Sequence, residues 1–422
     1  MASKSINWRK GRGVIVNTTD IRANSDAASI SNAPPSMNES DRKSQVVVLS
    51  CETYDLQEVR AQLERGIALL GGWQKWLKPG ENILLKPNLL APDPPEKAVT
   101  THPAVFQAVA ESLQQFGVKI TYGDSPSNGT VEAAARKSGL AEVAAQLGMN
   151  LASFREGEAV DIEGSYHRHQ AVMARAVLDS DGMISLPKLK THPLMRLTGA
   201  VKNQFGCVVG LDKKMFHAKH PQGDHFAALL VDLNLYIKPR LYILDAIVAM
   251  EGNGPRGGAP RRTGILMISA DPIALDATAS RLVGLEPEQV PTNRAGQDSG
   301  LGVYRLEDIE LLGDNLDELI VEDFNLGIGL PGFAVKNIWL RNQIVPRPQI
   351  HADLCKTCGL CINACPLRPP AVDWTEAGQE QPPQYNYSTC IRCYCCQEVC
   401  PEGAITLKVP WLGRVMGRRS HS

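Results

Sequence analysis

The residues best suited to chemistry are cysteines gathered at one end of the chain. Of 11 cysteines in 422 residues, nine lie between Cys355 and Cys400, and only Cys51 and Cys207 lie elsewhere. Eight of the nine repeat one spacing, as Cys355-x2-Cys358-x2-Cys361-x3-Cys365-Pro366 and as Cys390-x2-Cys393-x2-Cys396-x3-Cys400-Pro401. A secreted disulfide protein spreads its cysteines through a small domain, whereas dense CxxC spacing in a large chain points to metal ligation in a reducing compartment. Two-residue gaps let a tight loop aim three thiolates inward, and the proline after the fourth cysteine turns the chain away. A zinc ribbon also uses CxxC pairs, but four ligands satisfy each ion and nothing in zinc chemistry asks for the fourth cysteine at x3-Cys-Pro. The pattern therefore predicts iron–sulfur ligation.

Both copies resemble bacterial two-cluster ferredoxins, in which three thiolates of each copy hold one [4Fe–4S] cluster and the fourth crosses to the other. The resemblance implies two [4Fe–4S] clusters, one on Cys355, Cys358, Cys361 and Cys400, the other on Cys390, Cys393, Cys396 and Cys365. Cys395 is extra: a spare thiol or an alternate ligand. Such clusters carry one electron each at low potential. With no ligand position vacant, the pair suits a short electron wire; a purely structural pair is the alternative.

The remaining polar density must be positioned by the elements before it. Gln45–Cys51 is a β-branched run and predicts a buried strand, and Leu56–Leu70 shows helical apolar spacing ending at Gly71. The pattern repeats with strands at Asn82–Leu85, Val118–Tyr122, Ala171–Val177, Gly182–Leu186, Leu241–Leu244, Ile265–Ser269 and Ile309–Leu312. Helices are expected at His102–Phe116, Thr130–Ser138, Leu140–Leu147, Asp224–Ile237 and Pro272–Val283. Alternation of this kind predicts a large α/β domain, a mostly parallel sheet with helices on both faces, over residues 45–315. A connector (316–350), a small α+β ferredoxin-like domain (351–409) and a basic tail (410–422) follow. Residues 1–44 are Ser- and Asn-rich without an apolar core segment and read as a disordered tail. Their composition borders on that of a transit peptide, against which Asp20, Asp26 and Glu39 argue.

In open α/β sheets ligands bind beyond the carboxyl ends of strands, and four polar segments fall there. They are Lys86-Pro87-Asn88 with Thr101-His102, Gly123-Asp124-Ser125, Lys188-Leu189-Lys190-Thr191-His192 with Lys202-Asn203, and Asp245. Lys86, Lys188, Lys190, Lys202, Lys213 and Lys214, with His192 and His217, would make a crevice positive and suited to an anionic small molecule. Helix N-termini at Thr101 and Thr191 would add backbone donors. His192, beside Lys190, is the candidate acid–base group because imidazole titrates near neutrality. Lys188 and Lys190 stand with it as catalytic candidates; Lys86, Asn88, Asp124, Lys202, Asn203 and Asp245 are candidate substrate contacts. Solvated turns are the plainer reading of each segment taken singly. His217, His220 and His225 lie close together but match no zinc motif such as HExxH. Gly252–Gly258 lacks both the P-loop lysine and a dinucleotide frame and reads as a glycine-rich flap, with Arg256 as a ligand contact.

The segments ILLKPNLL, TTHPAVFQAV, YGDSP, LPKLKTHPL, GAVKNQFG and EGNGP together resemble the domain-of-unknown-function family numbered 362, often joined to a C-terminal pair of ferredoxin-type motifs. The resemblance spans roughly 45–315 and 350–407 and carries no settled reaction. It implies a cytoplasmic iron–sulfur protein and supports Lys86, Asn88, Lys188, Lys190, His192, Lys202 and Asn203 as the site.

A net charge of -1 gives no global field for nucleic acid, and no run of apolar residues is long enough for a membrane span. The expected function is a reductase or electron-transfer enzyme that passes electrons through its clusters to an anionic substrate or cofactor. Without a Rossmann fingerprint, electrons would come from an external ferredoxin or flavoprotein. A non-catalytic assembly or carrier protein, and a non-redox isomerase or lyase with structural clusters, are the alternatives.

Overall fold

Consecutive apolar residues in a strand need cover on both faces, and the computed structural model meets that need. It describes residues 43–164, 169–209, 212–220, 223–328, 337–376 and 378–418; the tail expected over 1–44 lies outside them up to residue 42. Val47 and Leu49 enter one apolar cluster, Val46 and Val48 the cluster on the opposite face. The same alternation divides Ile83 and Leu85 from Leu84, Ile243 from Leu244, and Leu266 and Ile268 from Met267.

The strands are β1 (Ser44–Ser50), β2 (Asn82–Pro87), β3 (Lys119–Tyr122), β4 (Asn150–Leu151), β5 (Gly157–Ile162), β6 (His169–Ala174), β7 (Gly182–Leu186) and β8 (Lys188–His192). After them come β9 (Arg196–Thr198), β10 (Leu241–Glu251), β11 (Ala259–Ser269) and β12 (Ile309–Gly313). The main sheet runs β12-β1-β11-β10-β7-β2-β3-β4, with β8 and β9 attached through β10. Along this path β11 alone runs against its neighbours, and every other pairing is parallel. β5 and β6 form a separate hairpin. Helices Leu56–Leu69 and Pro103–Phe116 cover one face through Val59, Leu63, Val105 and Val109. Helices Gly223–Ile237 and Pro272–Leu282 cover the other through Phe226, Leu230, Leu275 and Leu282. Helix starts are sealed by side chains: Asp55 accepts from the amides of Gln57 and Glu58, and Asp271 from those of Ile273 and Ala274.

Several elements differ from expectation. Lys188–His192 is a strand rather than a loop leading into a helix at Thr191, and all five of its residues are buried. Two lysines and a histidine in five residues disguise a strand whose polar side chains all find internal partners. β10 and β11 each extend to 11 residues, well past the short strands expected. The strand expected over Ala171–Val177 gives way to a helical turn at Arg175–Leu178. Beyond the sheet, the connector holds a helix, Ile338–Ile344, and a strand, β13 (Arg347–Ile350). Short strands β14 (Val372–Asp373) and β15 (Gln384–Tyr385) pair with each other, while β16 (Ile405–Lys408) pairs with β13. The basic tail begins as a helix, Trp411–Arg418. The sheet and the cysteine segment belong to one compact unit from Lys43 onward.

Candidate functional site

β10, β7, β2 and β3 are neighbours, so Lys188 just after β7, Lys86 near the end of β2 and Asp124 just after β3 fall into one row with Asp245, which lies inside β10 rather than beyond a strand end because that strand runs on to Glu251. The row reads acid, base, base, acid. Lys188 Nζ lies 2.8 Å from Asp245 Oδ2 and donates to the Tyr54 hydroxyl at 2.7 Å. That hydroxyl donates to Asp245 Oδ1 at 2.8 Å, and the His102 amide donates to Oδ2 at 2.9 Å. The Tyr54 ring stacks on His102 with centroids 3.5 Å apart. At the other end of the row Lys86 Nζ lies 2.9 Å from Asp124 Oδ1, and Asp124 also accepts from the amides of Leu89 and Ser125. Gly206 closes over this pair; a Cβ there would fall 1.8 Å from Asp124 Oδ1. Lysines this deeply buried keep their charge only when paired. Lys86 and Lys188 are therefore neutralised by neighbours within the fold.

Between the two pairs runs a chain of amides. Asn88 Nδ2 donates to Asn203 Oδ1 at 3.1 Å, and Asn203 Nδ2 to Ser185 Oγ at 2.9 Å. Lys190 Nζ donates to Asn88 Oδ1 at 2.7 Å and to the Val99 carbonyl at 2.8 Å, with no carboxylate partner among the described residues. Burial, followed by the charges of Lys202 and Lys188, holds Lys190 well below the usual lysine range.

These residues border a cleft enclosing about 1000 Å³, its open mouth included. Of the residues singled out in the sequence, Asn88, Asp124, Lys188, Lys190, Lys202 and Asn203 line it, joined by Lys213 and His217. Lys86, Asp245 and His192 stand behind that lining. Lys213 donates to the Ser125 carbonyl and is pushed down to about 8 by burial, against the pull of Asp124. Lys202 holds no direct ion pair among the described residues. His217 is clamped against Phe226, ring centroids 4.3 Å apart, and its buried Nδ1 has no partner among the described residues. The opposite wall comes from the cysteine segment: Ala364, Cys395, Glu398 and Val399. Sequence reasoning missed this wall, because no local signal marks a spacer between cysteines as part of a distant cleft.

The segment is held in place by named contacts. Glu398 Oε1 lies 2.8 Å from His192 Nε2. His192 Nδ1 accepts from the amides of Leu194 and Met195, each at 3.1 Å, which leaves Nε2 to carry the proton toward Glu398. Burial, with Lys202 next, lowers the His192 pKa to about 4, so it does not titrate near neutrality as its type suggests. Gln397 Nε2 donates to the carbonyls of Asn253 and Gly254 at 3.0 and 2.8 Å. Arg256 pairs with Asp93 at 2.6 Å and donates to the Val399 carbonyl at 2.6 Å. Gly252–Gly258 is thus a latch onto the cysteine segment, and Arg256 is engaged within it rather than by a ligand.

Within the segment, Cys355, Cys358, Cys361 and Cys400 line one pocket of about 380 Å³, its open mouth included, with Ile350, Leu360, Ala404 and Ile405. Cys365, Cys390 and Cys396 share an apolar cluster with Ala371, Val372 and Ile405, while Cys393 sits in the adjoining one with Cys395. The Ala371 amide donates to Cys365 Sγ at 3.3 Å and the Tyr385 hydroxyl to Cys396 Sγ at 3.2 Å. Both copies adopt the same left-handed turns, at Thr357 and Gly359 and again at Arg392 and Tyr394. All 11 cysteines are free. Among the described residues no three His, Cys, Asp or Glu side chains converge on a single metal ion, the His217–His225 stretch included. Thiols spread around an apolar cavity fit a cluster rather than one ion. Cys51 and Cys207 are buried thiols pushed up to about 12, chiefly by burial. No helix among the described residues is long and apolar enough to cross a membrane.

Comparison with known proteins agrees with these features. Residues 83–281 match the model for a domain of unknown function, DUF362, and residues 347–401 that for a 4Fe-4S dicluster domain. A thylakoid-associated protein of Synechocystis sp. is 35% identical over 282 residues, covering 67% of this chain and 87% of its own. Solved structures align more loosely. The lactate racemase apoprotein of Thermoanaerobacterium thermosaccharolyticum gives a TM-score of 0.36 at 11% identity, and a Thermotoga maritima protein 0.35 at 11%. The alignments take in 56% of this chain and 56% of the racemase, and 60% and 61% for the second protein. The chain is an iron–sulfur protein and belongs to the DUF362 family, in a form that carries a C-terminal 4Fe-4S dicluster domain.

Proposed function

We propose that this protein is a reductase that binds a small anion in the cleft and delivers electrons to it from the dicluster domain. One observation carries the reading: the wall facing Lys190, Lys202 and Lys213 is built from Cys395, Glu398 and Val399, which lie among the second group of cysteines. Cys355, Cys358, Cys361 and Cys400 would hold one [4Fe–4S] cluster, and Cys390, Cys393, Cys396 and Cys365 the other. When bound, such clusters supply electrons singly at low potential.

The chain's own residues then have defined tasks. Lys202, without an ion pair among the described residues, and Lys213 attract a carboxylate or phosphate and stabilise negative charge that develops on it. The unpartnered His217 Nδ1 offers a further polar contact at the cleft wall. Lys213, at about 8, is charged near neutral pH yet acidic enough to give up a proton to a reduced substrate. His192 positions Glu398, and through it the wall, instead of moving protons itself. Electrons enter from an external ferredoxin or flavoprotein, since no dinucleotide fingerprint is present. A reducing setting such as the cytoplasm suits the thiolates, and the thylakoid association named for the Synechocystis relative adds a membrane surface to that reading.

Lys190 supports a second reading. An amine that burial holds well below the usual lysine range suits the base of a non-redox isomerase or lyase, with the clusters structural. Anaerobic protein should contain about eight iron and eight sulfide per chain and give a spin-coupled signal after dithionite reduction. Reoxidation that depends on an added carboxylate or phosphate substrate supports the reductase. Turnover that persists with fully oxidised clusters favours the isomerase or lyase, and zinc without sulfide removes the redox reading.

A further inference from the structure

Outside the cleft, the least ordinary surface is formed by two short helices, Ile338–Ile344 and Trp411–Arg418. They touch at Gly413, where a Cβ would stand 2.3 Å from the Ile344 carbonyl oxygen; only a glycine allows that approach. Apart from Arg414, the exposed side chains described on this pair are large and apolar. Trp339 is 68% exposed and Trp411 61%, with Ile338, Leu340 and Val415 also exposed. Trp411 and Val415, four residues apart, share one helix face. Isolated apolar residues on a surface need no explanation, but two tryptophans and three aliphatic residues on two touching helices do.

Charge indicates what covers them. Residues 324–352 contain Lys336, Arg341 and Arg347 and no acidic residue, and residues 403–422 contain Lys408, Arg414, Arg418 and Arg419 and none either. The whole chain, by contrast, has a net charge of -1. Tryptophan favours the boundary between headgroups and acyl chains, and short basic amphipathic helices lie in that plane without crossing it. An acidic partner protein would match the charge but gives no reason for two protruding indoles.

We propose that this helix pair docks the protein onto the surface of an anionic lipid bilayer, with Trp339 and Trp411 inserted at headgroup depth and Arg414 among the lipid charges. This inference does not rest on the reductase reading. The test is flotation of the full-length, cluster-loaded protein with vesicles of phosphatidylcholine alone and of phosphatidylcholine mixed equally with phosphatidylglycerol. Binding is expected to the mixed vesicles, weakened by salt, and little to the neutral ones. The double variant W339S/W411S should lower partitioning by about tenfold or more, and R414E by roughly tenfold, with iron content unchanged. Tryptophan emission should shift to the blue on binding. Three results would overturn the proposal: no flotation with the mixed vesicles, flotation unaltered in both variants, or a lipid-independent dimer that W339S/W411S abolishes, which would make a second copy the occupant.

Discussion

Replacing Asp245 by asparagine separates a structural from a catalytic role for Lys188. The substitution keeps the size of the side chain and removes the charge that Lys188 faces at 2.8 Å. Asp245 also accepts from Tyr54 and from the His102 amide, and an asparagine oxygen cannot serve all three donors. Lys188 is only 2% exposed and cannot turn to water. Leaving a buried charge unpaired costs about 3–5 kcal/mol. The ceiling is the cost of shedding the proton, about 5 kcal/mol for an ordinary lysine near pH 7. In the variant the folded-state pKa of Lys188 lies below its unfolded value, so between the two the unfolded chain binds more protons. Stability must then rise with pH, by up to about 1.4 kcal/mol per unit. Anaerobic urea unfolding of the loaded protein, at about pH 7 and about pH 9, reads both effects. Asp245→Asn should lose about 3–5 kcal/mol at the lower pH and recover part of it at the higher. Adding Lys188→Met should restore most of the remainder and leave anion binding in the cleft intact. A loss below about 1 kcal/mol, or a penalty indifferent to pH, would refute the buried-pair reasoning.

Other expectations follow from the same geometry. His102, His192 and His217 are each held to about 4, chiefly by burial, against 6.5 in the unfolded chain. The unfolded chain therefore binds more protons between about 6.5 and 4, and melting temperature should fall as pH drops through that window and be insensitive to these groups above it. Iron analysis should find Cys395→Ala fully loaded, whereas Cys396→Ala should lose about half of its iron. Arg392 is buried near Cys390 and donates to Asn342, with no carboxylate partner among the described residues. Arg392→Gln should lower one cluster potential by about 50 mV in a redox titration, because a cation that favours the reduced, more negative state is gone.

The dicluster domain was legible because its signal is local: the same cysteine spacing is written out in full within each copy. The sheet was legible through its apolar runs, and the strand-end rule placed Lys86, Asp124, Lys188 and Asp245 in one row. What each residue does there was not legible. The sequence shows six lysines as a positive field, but two of them, Lys86 and Lys188, meet aspartates far along the chain. Tyr54, which completes the Asp245 network together with the His102 amide, carries no motif. Lys188–His192 was hidden as a strand because its polarity resembles a loop until the internal partners are known. Glu398 and Cys395 were missed at the cleft for the same reason, since their position there depends on how the dicluster segment docks. That Gly252–Gly258, whose Pro255 lines the cleft, also latches onto the cysteine segment was not legible, because glycine-rich turns look alike whether they meet a ligand or another part of the chain.

The three residues between Cys396 and Cys400 bear on whether this dicluster domain is interchangeable with others. As a spacer, the stretch has only to set the distance between two cysteines. Yet Gln397 binds the Asn253 and Gly254 carbonyls, Glu398 binds His192, and the Val399 carbonyl receives Arg256. A domain transplanted from a free electron carrier, with every cysteine in place, would keep its clusters and lose its seat. The spacer works as a dialect that the large domain alone understands, and compatibility between the two halves is written in the residues that ligand spacing leaves free.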